Sequence, residues 1–238
     1  MAWRGSAGGT VITTGTTVVI TVSGIGGVGP QLNDIIILQA NVTAGATISC
    51  PGFSVIPGLT TIPLTDSGQQ YPVALYKVGG ASEPSTYTIT ASATSGVIAA
   101  DCNCFSGRNT TSPFTAVNQV APAAGPFPIS VAIPGVTAAA GDDLLYLAAD
   151  GANKGSNTSA LTAPSGFSGT LDTNATLATA YTTVHSCNQT NVSAGATGTI
   201  TGSITSASGA NDNTGGFVIS IAAASGGSTL PLQAGILT

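Results

Sequence analysis

Charge is what this chain has least of. Only 5% of its residues are charged, 4 basic and 9 acidic for a net charge of −5, where ordinary soluble domains carry about 25%. Arg4, Lys77, Arg108 and Lys154 are scattered. No basic patch exists to neutralise nucleic-acid phosphates or to settle on anionic lipid. Neither nucleic acid nor membrane is an expected partner. No run of about 18 apolar residues occurs, so a membrane-spanning helix is not expected. The N-terminus lacks the compact apolar centre and small-residue cleavage site of a secretory signal. Either a signal was removed before this numbering begins, or the protein leaves the cell by another route such as lysis; the leading Met favours the second.

Reactive side chains are scarce too. His185 is the only histidine, so a Ser/His/Asp or Cys/His site would have to use it. No Gly-x-Ser-x-Gly elbow presents a nucleophile, and a histidine in Thr183-Val184-His185-Ser186-Cys187 reads as a turn residue near a strand end. The nine carboxylates are too dispersed to mark a glycosidase pair. Cys102-x-Cys104 and His185-x-Cys187 offer four ligands of the right kinds for a metal, but the spacing is not a zinc pattern and the pairs lie in different halves. The oxygen-rich stretches Asp150-Gly151-Ala152-Asn153 and Asn211-Asp212-Asn213 do not match an EF-hand loop and read as solvated turns. No catalytic residue, metal or cofactor is therefore expected, and the chain is not expected to be an enzyme. Cys50, Cys102, Cys104 and Cys187 are too few for a disulfide framework. Cys102 and Cys104 would share one side of a strand, where Cys50 could pair with either, or pairs could form between subunits. The plainer reading is four small buried hydrophobes. Six Asn-x-Ser/Thr sequons, at Asn41, Asn109, Asn157, Asn174, Asn188 and Asn191, are unsurprising in a Thr/Ser-rich chain and carry no argument.

What remains is strand signal. Gly (32) and Pro (13) would break most candidate helices. Short β-branched and aromatic runs cover Thr13 to Val22, Ile35 to Ala40, Val73 to Val78, Thr86 to Ala91 and Val97 to Ala100. Tyr87, Ile89 and Ala91 alternate with Thr86, Thr88 and Thr90, as on a strand with one wet face. The same order of elements is legible in two segments. Asn33-Asp34-Ile35-Ile36-Ile37-Leu38 answers Asp142-Asp143-Leu144-Leu145-Tyr146-Leu147, with Asp34 set against Asp143. Cys50-Pro51-Gly52-Phe53-Ser54 answers Ala163-Pro164-Ser165-Gly166-Phe167-Ser168. Ala74 to Val78 is set against Ala178 to Thr182, and Gly96 to Ala100 against Gly216 to Ser220. Preserved order with variable loops reads as an internal duplication. The expected fold is all-β: two tandem antiparallel β-sandwich, jelly-roll-like domains at 11–116 and 127–225. A Pro/Ala linker at 117–126, an N-terminal arm at 1–10 and a C-terminal arm at 226–238 complete the division.

The stretches Asp34-Ile35-Ile36-Ile37-Leu38, Pro51-Gly52-Phe53-Ser54, Ala74-Leu75-Tyr76-Lys77-Val78 and Gly80-Ala81-Ser82-Glu83-Pro84-Ser85-Thr86-Tyr87-Thr88-Ile89-Thr90 together resemble β-sandwich modules of tailed-bacteriophage virion proteins and some bacterial surface proteins. The resemblance covers most of residues 33–100 and, more weakly, 142–222. Phe53 and Phe167 stand where those modules carry tryptophan, and the second segment lacks the Ser-Glu-Pro element. Such a resemblance implies an architecture and a setting, not an active site. It implies a virion structural protein, assembled in the host cytoplasm and then extracellular. The expected role is a capsid decoration (cement) protein, with copies of itself, as a trimer, and the major capsid protein as partners. Expected contacts are Trp3 and Arg4 on the N-terminal arm and Leu230, Leu232, Ile236 and Leu237 on the apolar C-terminal segment, packed on a neighbouring subunit or back along its own domain. A tail, collar or fibre component is the alternative within the same class. A carbohydrate-binding module on a virion or bacterial surface is the alternative from another, with Tyr71 and Tyr146 as its candidate stacking rings.

Overall fold

The computed structural model describes residues 3–11, 15–43, 45–64, 69–71, 73–152, 158–177, 180–206 and 211–224. Among them the chain is all-β, with one 3-10 turn at Ile25–Gly27. The first half holds β1 (Trp3–Val11), β2 (Gly15–Thr21), β3 (Ile35–Thr43), β4 (Ile48–Ser49) and β5 (Ser54–Val55), then β6 (Ile62–Leu64), β7 (Gln69–Tyr71), β8 (Leu75–Val78), β9 (Thr86–Ser95) and β10 (Ile98–Phe105). The second holds β11 (Phe114–Pro126), β12 (Ile129–Ile133), β13 (Thr137–Ala138), β14 (Asp143–Ala152) and β15 (Ser159–Thr162), then β16 (Ser168–Leu177), β17 (Ala180–Gln189), β18 (Gly195–Ala196), β19 (Ile200–Ser206) and β20 (Asn211–Ile221).

The large sheet of the first half runs β1-β10-β3-β8-β5, with β7-β6 added at the far end of β3; that of the second runs β11-β20-β14-β17-β16. The small sheets run β2-β9-β4 and β12-β19-β15, with β13-β18 beside the latter. Both halves therefore pair first strand with last and second with next-to-last, the nested order of a jelly roll.

Three apolar interiors lie between these sheets. Val18, Ile20 and Ile89 from a small sheet meet Ile36, Leu38 and Cys102 from the large sheet in the first half. Val131, Ile133 and Ile204 meet Leu144, Tyr146 and Val218 in the second. Between the two large sheets, Ile35, Ile37 and Phe105 meet Leu145, Leu147, Phe217 and Ile219. The molecule is thus a stack of four sheet layers whose middle seam is as dry over much of its area as either sandwich interior. β10 is buried on both faces at every residue. That explains why Ile35 to Leu38 and Leu144 to Ala149 read as unbroken apolar runs, whereas β12, with one wet face, alternates strictly. Each fully buried Ile or Leu of the seam contributes about 1.5–3 kcal/mol.

The strand pairings correct several expectations. Residues 117–126 are not a linker: they belong to β11, hydrogen-bonded along β20 with two register shifts. Pro122 and Pro126 fit there because β11 is an edge strand, where a missing N–H costs no ladder bond. The crossing between halves falls instead between Phe105 and Phe114. Nor is the segment 1–10 a free arm, since Trp3–Val11 forms β1, paired with β10. Residues 225–238 lie outside the described residues.

The equivalence of the halves also shifts. Gln31 N–H donates to Asp34 Oδ2, and Ala139 N–H donates to Asp142 Oδ2. Cys104 Sγ lies 3.3 Å from Asp34 Oδ2, and Ser220 Oγ lies 2.9 Å from Asp142 Oδ2. Asp34 thus matches Asp142, not Asp143. A slip of one residue would turn every inward side chain of the strand outward. With the corrected register, Ile36 and Leu144 both face their own sandwich, and Ile37 and Leu145 both face the seam. Counted from the same pairings, Leu75 to Val78 correspond to Cys187 to Thr190, not to residues near Tyr181, and Ala100 corresponds to Gly216.

Phe53, Lys77, Glu83 and Tyr87 form a latch in the first half. Glu83 Oε2 takes Lys77 Nζ at 2.8 Å and the Tyr87 hydroxyl at 2.6 Å, while its Oε1 accepts the Gly80 N–H. Lys77 lies over both the Phe53 and Tyr87 rings, which meet edge to face. Glu83 is held as a carboxylate: these donors outweigh its burial and lower its pKa. In the second half Phe167 instead meets Tyr146.

Candidate functional site

The most concentrated chemistry lies inside the second sandwich, around His185. The histidine is not a turn residue. It sits in the middle of β17, fully buried, on the face turned toward the small sheet. Its Nδ1 is 2.6 Å from Asp172 Oδ1 on β16, and its Nε2 is 2.7 Å from Asp150 Oδ1 on β14. Ser159, on β15 of the facing sheet, donates to Asp150 Oδ1 at 2.9 Å and lies 2.9 Å from the Thr183 hydroxyl. Two β16 side chains also reach the β15 backbone: Asp172 Oδ1 accepts the Leu161 N–H, and Asn174 exchanges bonds with the Ser159 N–H and carbonyl. The cluster therefore stitches an edge of the large sheet to the edge strand of the small one. Pairing of β14, β17 and β16 brings residues 150, 185 and 172 together, and the facing sheet adds Ser159.

Burial disfavours a charged imidazole, but the two carboxylates outweigh it and raise His185 to about 9. At neutral pH it is a cation clamped between two carboxylates. Asp172–His185–Ser159 has the connectivity of a catalytic triad, with Nε2 3.4 Å from Ser159 Oγ. In its protonated form the imidazole is unsuited to that role. An imidazolium has no lone pair with which to take the serine proton, and Ser159 is only 3% exposed.

A second polar group crosses the seam directly behind it. Gln39 Nε2 donates to Asp101 Oδ2 at 2.7 Å and to the His185 carbonyl at 3.0 Å, while its Oε1 accepts from the Tyr71 hydroxyl. Asn41 Nδ2 donates to the Asp150 carbonyl at 3.0 Å. Asp101 is fully buried, and burial raises it to about 7 against the opposing pull of Gln39, Ser186 and His185. The two halves are thus joined by hydrogen bonds as well as by apolar packing.

The other candidates are structural or dispersed. All four cysteines are free and buried. Burial raises every one, Cys187 to about 12, so none is a thiolate at neutral pH. Cys102 and Cys104 face the first interior and Cys187 the second, so the imagined metal set does not converge. Among the described residues no group of acidic, Cys and His side chains is arranged to hold a metal. Asp150 to Ala152 and Asn211 to Asn213 are strand, not cation loops, and Gly151 pairs with Asn213. Tyr71 and Tyr146 are fully buried and closed to stacking on a sugar. Arg4 binds Asp34 through Nε at 2.8 Å and a terminal nitrogen at 3.0 Å. Trp3 packs on the seam core beside Gly169, where a Cβ would lie 2.7 Å from the indole. Both side chains are engaged within the chain. Leu230, Leu232, Ile236 and Leu237 lie outside the described residues.

Nothing in the sequence pattern marked Asp150, Ser159 and Asp172 as partners of His185. The one signal present was polarity inside buried runs: Gln39 and Asn41 interrupt Ile35 to Val42, and Asp101 and Asn103 interrupt Ile98 to Phe105. Compared with protein families, curated proteins and solved structures, the chain matches none of them.

Proposed function

We propose that this chain is a structural subunit of a bacteriophage virion, of the kind that decorates and stiffens a capsid. One observation carries the reading. The chemistry-bearing groups (His185, Asp150, Asp101 and the four thiols) are enclosed and hold sheets together, while the outside is a charge-poor surface of Thr, Ser, Asn and Gly. That composition gives little repulsion between copies. The doubled jelly-roll order and the Phe53, Lys77, Glu83, Tyr87 latch agree with the resemblance to phage virion modules. Its mechanism is passive. Subunits meet across uncharged outer faces and sheet edges, and detaching one exposes apolar area at about 25 cal/mol per Å².

The test is native mass by sedimentation equilibrium under reducing conditions, then addition to heads stripped of their decorating protein. A closed trimer or larger ring that binds heads supports the reading. A subunit monomeric at all concentrations, indifferent to heads and bound by a defined oligosaccharide, would replace it with the glycan-binding alternative.

A further inference from the structure

A pocket of about 440 Å³ opens on the second sandwich, between the turn that leads into β16, the end of β17 and the start of β19. Its base is apolar, with Pro164 and Ile200 both buried. One wall is the half-buried ring of Phe167, which packs edge to face on Tyr146 with centroids 6.2 Å apart. Thr199 and Thr201, both exposed, set hydroxyls on the rim. Gln189 is half-buried and lies across the turn, so close that a Cβ on Gly166 would meet its Nε2 at 3.0 Å. Among the described residues its side-chain amide has no hydrogen-bond partner. No charged side chain lines the pocket.

The first half shows the same corner closed. Lys77 and Gln189 hold one place in the two sheets, paired with the equivalent Ile36 and Leu144, and Phe53 and Phe167 close equivalent turns. Lys77 Nζ lies 5.6 Å from the Phe53 centroid and is tied to Glu83, so the protein's own cation covers that ring. The second half has neither part. Glutamine replaces the lysine, and no acidic residue lies between Gln189 and Ile200. Phe167 is left lining an open pocket, beside an amide with nothing to bond.

The lining selects the ligand. A carboxylate, phosphate or ammonium group would lose water there and meet no countercharge. A wholly apolar ligand would make no use of the Gln189 amide and the threonine hydroxyls. A pyranose ring has both surfaces: a patch of C–H bonds that packs on an aromatic ring, and an edge of hydroxyls that donate and accept. The volume falls in the ordinary range for small-ligand sites. We infer that this pocket binds one neutral pyranose unit of a glycan, its C–H face on Phe167 and its hydroxyls on Gln189, Thr199 and Thr201. The inference goes beyond the virion reading and does not rest on it.

The experiment titrates the full chain with the methyl glycosides of glucose, galactose, mannose and N-acetylglucosamine, and with glucuronic acid as the charged control, while NMR follows the amides. At least one neutral glycoside should bind with a Kd in the millimolar range and move the Gln189 side-chain signals. Gln189→Lys gives the second half the cover of the first and should weaken binding roughly tenfold or more. Thr201→Val, nearly equal in shape and exposed, should weaken it roughly fivefold, as for one neutral hydrogen bond, with an unchanged urea midpoint. No shift with any neutral glycoside at tens of millimolar would overturn the site. Glucuronic acid bound as tightly as the neutral sugars would overturn the ligand class, and binding that neither substitution changes would overturn the placement. A subunit that fails here and still binds heads leaves the virion reading intact, because the head-binding assay reads that separately.

Discussion

Val42 on β3 and Asp150 on β14 occupy matching places in the two sandwiches, each the eighth residue of its strand. Val42 is one of a wholly apolar set with Ala40, Ile48 and Ala91. Asp150 belongs to an ionic cluster with His185, Asp172 and Ser159. The same strand order is thus filled dry in one half and charged in the other. The first half closes its periphery with the Lys77–Glu83–Tyr87 latch near the surface, the second with an ionic cluster buried between its edge strands. The lesson is about specificity. Apolar packing tolerates sliding and resizing, but a cation between two carboxylates allows one register of β14, β16 and β17 and no other.

That contrast can be broken most sharply at its centre. His185→Ala strands two carboxylates and should cost about 3–5 kcal/mol in equilibrium denaturation. Pairing Asp150→Val with His185→Leu imitates the dry half and should recover most of the loss. If the double replacement is as unstable as the single one, the charge is needed for more than mutual neutralisation.

The next test is pH. His185 is raised from 6.5 to about 9 when folded. Its contribution is therefore present in full below 6.5 and is lost as pH rises toward about 9. Asp101 is raised from 3.8 to about 7. The folded state thus favours its proton, and stability falls as pH rises across that lower window. Both slopes have the same sign, and the windows are worth about 3 kcal/mol for His185 and about 4 kcal/mol for Asp101. Urea midpoints from pH 4 to 9 should decline in two waves. Asp101→Asn should flatten the lower wave and the dry double replacement the upper. A stability maximum at alkaline pH would contradict both assignments.

Smaller effects probe the seam and the latch. Gly8 lies so close to β16 that a Cβ would sit 2.2 Å from Thr173 Oγ1. Gly8→Ala should cost about 1–3 kcal/mol by prising the halves apart, and calorimetry should show whether one unfolding transition becomes two. Glu83→Ala should cost about 1 kcal/mol through the lost Tyr87 and Gly80 bonds. It should leave the pH response of the second half unchanged.

How far the sequence foretold this divides along a physical line. A strand with one wet face, Thr86 to Ala91, was legible from alternation. The turn glycines Gly52 and Gly166, with φ of 78° and 84°, were legible as matched punctuation. The seam was only half legible. Ile35 to Leu38 announces burial on both faces without naming what covers the second. The Pro-rich stretch 117–126 looked like a linker because proline is confined to edges, and composition cannot separate an edge strand from a tether. The ionic cluster was invisible because Asp150, Asp172 and His185 are neighbours only through strand order, and Ser159 only through the packing of one sheet on the other. A sequence-level equivalence one residue out of register had already concealed which way β14 faces.

The seam has a further consequence. Because the large sheets turn toward each other, the small sheets β2-β9-β4 and β12-β19-β15 look outward in opposite directions. Three intersheet gaps of about 10 Å separate them, so the block is about 30 Å thick. A neighbour seated on one outer sheet leaves the other uncovered. The two outer sheets therefore lie on opposite faces of the block, and side-chain packing rather than loop length sets the distance between them.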